Sequence, residues 1–142
     1  MKIRLSENFR ALFYSPFYAT QATGAFAAAG VEVEMIPSPS PGAAVAVLRA
    51  GGVDVMWGGP LRVMLLHDQE PGCDLVCFCD VVARDPFFIV GAKPGPDFKF
   101  ADLSGLRFAT VSEVPTPWIC LQNDLRHAGV DPSKVAHIDN QT

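Results

Sequence analysis

Cys77-Phe78-Cys79 puts two thiols on one face of an extended segment, because strand side chains alternate with a period of two. As ligands of a tetrahedral metal ion they require two further thiol or imidazole partners. Cys73 and His67 stand near enough in sequence to be considered, but no second tight pair accompanies them. Free cysteine is among the most buried residue types, so the pair predicts packed, reduced thiols and no metal site. Trp57-Gly58-Gly59-Pro60 is the stronger local signal. Two glycines at a strand end let backbone approach a ligand closely, and Trp57 beside them offers a flat stacking face. The plainer alternative has Trp57 filling the core above a tight glycine turn. Arg62, in the first turn of the next helix, is placed either to face an anion or to lie in solvent.

Pro37-Ser38-Pro39-Ser40-Pro41-Gly42 is a stiff loop ending in a helix start. Ser40 reads as the cap of that helix, which leaves Ser38 as the better ligand candidate and Gly42 as an unobstructed N–H. His67, His127 and His137 show no partner spacing and are assigned no chemistry. No Ser/His/Asp or Cys/His constellation for nucleophilic catalysis is present. Lys2, Lys93, Lys99 and Lys134 lie in terminal, linker or surface contexts, whereas a Schiff-base cofactor wants a desolvated lysine. The residues therefore predict binding rather than catalysis, with no cofactor.

The elements that must position these groups follow one pattern. Ser15-Pro16, Ser40-Pro41, Gly59-Pro60 and Thr116-Pro117 each join a strand-like run to a helix-like run. Proline suits the first helical position, where its missing N–H has no partner to lose. Ser or Thr before it can cap the next free N–H groups. In open α/β sheets such helix starts lie outside the carboxyl ends of the strands, where ligands bind.

The pattern predicts strands at Ile3–Ser6, Val31–Ile36 and Val53–Trp57, alternating with helices at Pro16–Ala29, Pro41–Ala50 and Pro60–His67. Tyr18, Ala22, Ala25, Phe26 and Ala29 form a stripe at helical spacing, expected to be buried. Leu75–Cys79, Val81–Ala83 and Phe87–Val90 read as further, very apolar strands. A linker-like stretch, Lys93-Pro94-Gly95-Pro96-Asp97, divides the chain into a first α/β lobe (1–91), a hinge (92–100) and the start of a second lobe (101–142). The second lobe is expected to hold strand Leu106–Val111, helix Pro117–Ala128 with Trp118, Leu121, Leu125 and Ala128 on its apolar face, and strand Lys134–Ile138. Strands alternating with helices mean an α/β fold with a largely parallel sheet and helices on both faces.

The chain has 142 residues, 49% of them hydrophobic, enough to form a globular core. A net charge of −4 argues against a nucleic-acid partner, which normally needs a basic surface. No apolar run approaches the ~20 residues that span a bilayer, so no membrane insertion is expected. Met1-Lys2-Ile3-Arg4-Leu5 enters a strand without a signal-peptide pattern. The sequence as written thus points to the cytoplasm, or to the periplasm if a leader has been removed. The four cysteines are too few for a disulfide scaffold.

Three stretches together resemble one family. Tyr14-Ser15-Pro16-Phe17-Tyr18-Ala19, with Gly24-Ala25-Phe26 and Gly30-Val31-Glu32-Val33-Glu34, is similar to its opening helix and second strand. Leu48-Arg49-Ala50-Gly51-Gly52-Val53-Asp54-Val55 is similar to its helix, glycine and Asp-Val strand. Ala101-Asp102-Leu103-Ser104-Gly105-Leu106-Arg107-Phe108-Ala109 resembles its Asp-Leu-x-Gly entry to the second lobe. The family is the ABC-transporter solute-binding proteins of the nitrate, sulfonate and taurine group, which also holds the thiamine-pyrimidine-precursor-like proteins.

The resemblance implies a type 2 periplasmic-binding-protein-like fold, two α/β lobes closing by a hinge over a small molecule, and an ABC permease as partner. Members are longer, so the resemblance implies that this chain is the N-terminal half, with the second lobe incomplete and the rest absent or supplied by a second chain. It puts Asn8, Phe9, Tyr14 and Ser15 of the first loop on the ligand; the competing reading is an ordinary loop whose aromatics plug the core. Arg84 and Asp85 fall where the chain crosses between lobes, either as a local ion pair or lining the cleft, where an arginine would grip a carboxylate, sulfonate or phosphate. Ser112 and Thr116 offer hydroxyls in the matching loop of lobe two. The aromatics and arginines together suit a flat or partly apolar solute bearing an acidic group. The alternatives are a cytoplasmic enzyme of the thiamine-pyrimidine-precursor type on the same scaffold, and a truncated product without independent activity.

Overall fold

The computed structural model describes residues 1–40, 42–84, 86–111 and 115–141, and of 139–141 the backbone alone. The chain divides into two compact units, Met1–Pro86 and Phe87–Thr142. Each is an α/β unit built on a parallel sheet.

In the first unit, β1 (Lys2–Glu7) lies between β2 (Glu32–Pro37) and β3 (Val55–Met56). Both neighbours run parallel to β1, with Leu5 opposite Met35 on one side and Val55 on the other. Parallel neighbours need long crossovers, and helices supply them. Helices α1 (Ser15–Ala22) and α2 (Ala25–Ala28) connect β1 to β2, and α3 (Ala44–Arg49) connects β2 to β3. After β3 the chain enters α4 (Pro60–Gln69). Arg4 ties β1 to the start of β3, its Nε and Nη2 donating to the two carboxylate oxygens of Asp54 at 3.1 and 2.6 Å. The Arg4 N–H adds a third bond to the same carboxylate, at 2.8 Å. These bonds hold Asp54 well below the ordinary aspartate range, at about 2.

The second unit pairs β4 (Arg107–Val111) with β5 (Ala136–Gln141), parallel, with an irregularity between Ala109 and Val111. Between them runs α5 (Thr116–His127), whose Leu121 and Leu125 pack with Leu103 and Val135 into a small aliphatic core. Trp118 and Phe108 pack against that core, as the helical spacing of Trp118, Leu121 and Leu125 predicts. Ala128, predicted on the same face, is exposed just past the helix end.

Several sequence expectations are corrected. The predicted helix 16–29 is two helices, because Gly24 adopts the left-handed conformation (φ 71°) and ends the first. The break interrupts the predicted stripe: Tyr18 and Phe26 are half-buried, while Ala22, Ala25 and Ala29 are exposed. Proline opens α1, α4 and α5 as predicted, but Ser15 and Thr116 lie inside their helices rather than capping them. Pro41 lies outside the described residues. Ser40 Oγ does accept from the Ala43 N–H at 3.2 Å, just before α3.

The largest correction concerns residues 75–90. None of the three predicted strands forms among the described residues. A strand exists only alongside a partner ladder, and β3 is two residues long, too short to template a neighbour. Val76, Phe78, Phe88 and Val90 are consequently exposed. Cys77 and Cys79 are exposed as well, so their predicted burial is overturned, and Cys73 is half-buried. His67 touches this stretch through Nε2, 2.8 Å from the Leu75 carbonyl oxygen.

Candidate functional site

Register builds the site. Ser6 stands opposite Met56, so the next residues of the two strands, Glu7 and Trp57, emerge side by side at the carboxyl end of the sheet. Asn8 follows Glu7 and donates from Nδ2 to the Trp57 carbonyl at 2.6 Å. Glu7, Asn8 and Trp57 are all nearly closed to solvent, at 6%, 6% and 5% exposure. A carboxylate and an amide buried together at a strand end are unusual, since burying either costs free energy unless it is well partnered.

Glu7 has partners. Its Oε1 accepts from the Tyr18 hydroxyl at 2.8 Å and from Arg10 Nε at 3.2 Å. Burial and the Glu7 carboxylate push the Tyr18 hydroxyl up to about 12. Asn8 and Trp57 are less well served: Asn8 Oδ1 and Trp57 Nε1 are buried without a hydrogen-bond partner among the described residues.

An aromatic layer closes over this polar centre. Phe17 stacks on Trp57 at 4.5 Å between ring centroids, with the planes 22° apart. Tyr14 lies 4.9 Å from Trp57, and Tyr18 meets it edge-on at 6.2 Å. Phe9 and Phe13 extend the layer through edge contacts with each other and with Tyr14. Burial raises the Tyr14 hydroxyl above its ordinary value. The layer comes almost wholly from residues 9–18, through the short turn Leu12–Tyr14 and the start of α1. Beside it is an open depression of about 350 Å³ lined by Arg10, Ala11, Leu12, Ser15 and Tyr18.

The residues singled out in the sequence fall into groups. Asn8, Phe9, Tyr14 and Trp57 come together at the carboxyl ends of β1 and β3, and Ser15 lines the adjoining depression. Gly58 and Gly59 lead from Trp57 into α4. At Gly58 a Cβ would come 3.1 Å from Met56 Cε and 3.4 Å from Asn8 Nδ2, so the bare backbone makes room for the Asn8 amide. Ser38 is half-buried after β2, its N–H bonded to the Glu7 carbonyl and its Oγ to the Ser40 carbonyl at 2.5 Å. Arg62 is half-buried in the first turn of α4, while Arg84 is exposed in the irregular stretch. Thr116 belongs to the other unit, half-buried at the start of α5. Asp85 and Ser112 lie outside the described residues.

The sequence reading passed over Glu7, Arg10, Phe17 and Tyr18 as site residues. Phe17 and Tyr18 appear there as parts of the first helix. The available signal was the position of Glu7, at the carboxyl end of the strand that two parallel neighbours flank. His137 also acquires neighbours. Trp118 stacks on its ring at 3.9 Å and Thr110 Oγ1 lies 2.8 Å from its Nε2. Among the described residues no three His, Cys, Asp or Glu side chains come together to hold a metal ion. Among them, too, no helix is long and apolar enough to cross a membrane.

A family model described as NMT1/THI5 like matches residues 13–142, all of the chain beyond the first strand and the loop that carries Asn8. No curated protein and no solved structure gives a significant match.

Proposed function

The chain belongs to the NMT1/THI5-like family, and from that premise we propose that it is a solute-binding protein of the nitrate, sulfonate and taurine group. The family holds solute-binding proteins as well as THI5 synthase-like members. In this reading the protein captures a small, flat organic molecule at the carboxyl ends of β1 and β3 and delivers it to an ABC-type permease from the periplasmic side. The fold we assign it is the type 2 periplasmic-binding-protein fold.

One observation carries the reading: Asn8 and Trp57, each just past the end of a different strand, meet in a buried polar centre under an aromatic layer. Mostly apolar walls with a few fixed polar groups are the usual make-up of a small-molecule site. Catalysis would need an activated nucleophile or an acid–base pair beside it. Three ionisable groups at this centre are instead tied together, Arg10 and Tyr18 each donating to Glu7. Their role is to hold the loop in place.

Native mass spectrometry of the protein isolated from its host tests the reading. A co-purifying small molecule that raises the thermal midpoint when added back supports it. A protein that retains nothing, and whose midpoint no host metabolite fraction moves, overturns it. The enzymatic alternative draws on the exposed thiols of Cys77 and Cys79. It predicts a lysine-dependent imine absorbance on mixing with pyridoxal phosphate, and that band would displace the binding reading.

A further inference from the structure

The unpaired atoms beneath the aromatic layer define what the site selects. Asn8 Nδ2 donates to the Trp57 carbonyl, which can only accept, so the orientation of the Asn8 amide is fixed. Its Oδ1 is left as a buried acceptor with no donor. Trp57 Nε1 is a donor by chemistry alone, and it is buried with no acceptor. Buried polar atoms in native proteins are almost always paired, so an orphaned donor and an orphaned acceptor on two bonded residues call for a reason.

Resting on the solute-binding reading above, we propose that Asn8 Oδ1 and Trp57 Nε1 are the specificity element of the site. They select a neutral planar group that carries a hydrogen-bond donor beside an acceptor, as a carboxamide or a ring amide does. Such a group carries a partner for each atom, an N–H for Asn8 Oδ1 and a carbonyl for Trp57 Nε1. A carboxylate answers only the indole. It has no donor for Oδ1, and it brings a second negative charge close to Glu7, which is equally buried and already has its charge met by Arg10. The expected solute therefore differs from the acidic one that the arginines suggest in the sequence.

Access runs through the residues that seal the pair. The turn Leu12–Tyr14 is three residues long; its Leu12 is 93% exposed, whereas its Tyr14 is buried against Trp57 and has to move with the turn. Phe17 occupies one face of Trp57, and displacing its ring opens a stacking surface for the rest of a flat solute.

Calorimetric titration of the full chain with benzamide and with benzoate tests the proposal, since the two probes share shape and differ in the donor. Benzamide is expected to bind at least about tenfold more tightly, the size of effect that follows from leaving a buried polar atom unpaired. Trp57→Phe, which keeps an aromatic ring and removes the N–H, is expected to weaken both probes about tenfold, because the indole answers the carbonyl of one and the carboxylate of the other, and to leave benzamide the tighter of the two. Circular-dichroism melts show whether that variant folds, and the comparison of probes on the unaltered chain stands without it. Equal affinities, or tighter benzoate, overturn the proposal while leaving the solute-binding reading intact. Binding of neither probe at millimolar concentration also overturns it, and the broader reading is then judged by whether native mass spectrometry finds a retained solute.

Discussion

Around the end of β1 the buried side chains are Leu5, Ser6, Glu7, Asn8, Tyr14 and Trp57; under α5 they are Leu103, Leu121, Leu125 and Val135. The second set is what an amphipathic helix on a two-stranded sheet demands: aliphatic, with Leu121 and Leu125 one turn apart on the helix and no polar side chain to satisfy. The first set is not the most economical way to make a core. It encloses an amide, a carboxylate and an indole N–H, and a few aliphatic residues in their place would have left no orphaned atoms. Where a fold keeps polar groups that packing does not require, function is the reason to examine first.

Truncation should separate the two regions most sharply. Trp57→Ala removes the ring on which Phe17, Tyr14 and Tyr18 converge, and is expected to cost about 4 kcal/mol in urea unfolding. Leu125→Ala, at a fully buried aliphatic position, is expected to cost about 3 kcal/mol. If the two regions differ in purpose, the Trp57 variant also loses any solute retained in native mass spectrometry, and the Leu125 variant keeps it. Loss in both, or in neither, would break the contrast.

Smaller effects sharpen it. Asn8→Ala leaves the Trp57 carbonyl without its donor and is expected to cost about 2 kcal/mol by the same unfolding measurement. Tyr18→Phe deletes a hydrogen bond to a carboxylate and is expected to cost about 1 kcal/mol near neutral pH. The Tyr18 proton is held more tightly in the folded chain than in the unfolded one. Its contribution is therefore complete below the ordinary tyrosine value of 10.0 and disappears as pH rises towards about 12. Near-ultraviolet absorbance should show one late-titrating tyrosine that the variant lacks.

The smallest change lies away from both regions, at the Arg4–Asp54 clamp. Asp54 titrates from 3.8 down to about 2 on folding, so its contribution is present above 3.8 and lost as pH falls through about 2. Acid unfolding of Asp54→Asn should lack that step. Both partners are partly exposed, so solvent screening keeps that step small, and the loss of stability at neutral pH is equally small.

How far the sequence can be read depends on whether a signal is local. Outside residues 75–90 the order of strands and helices was legible because alternation, proline at helix starts and glycine at helix stops act within a few residues. Gly30, Gly51 and Gly129 sit in the left-handed conformation at such stops. The α5 face was legible for the same reason, since Leu121 and Leu125 need only their own helix to share a side. Trp57 stood out by its glycines, yet the sequence left open whether it stacks on a ligand or fills the core. The structure buries it beneath Phe17.

Local pattern was enough for the α/β alternation outside residues 75–90, for Leu121 and Leu125 on one face of α5 and for the family to which the chain belongs. Two matters were decided only in three dimensions. One is pairing: residues 75–90 are as apolar as any strand in the chain, but composition reports a preference for burial and cannot provide the partner ladder that would realise it. The other is register. Ser6 opposite Met56 is what sets Asn8 against Trp57, residues 49 apart in the chain, and no pattern confined to either segment contains that alignment.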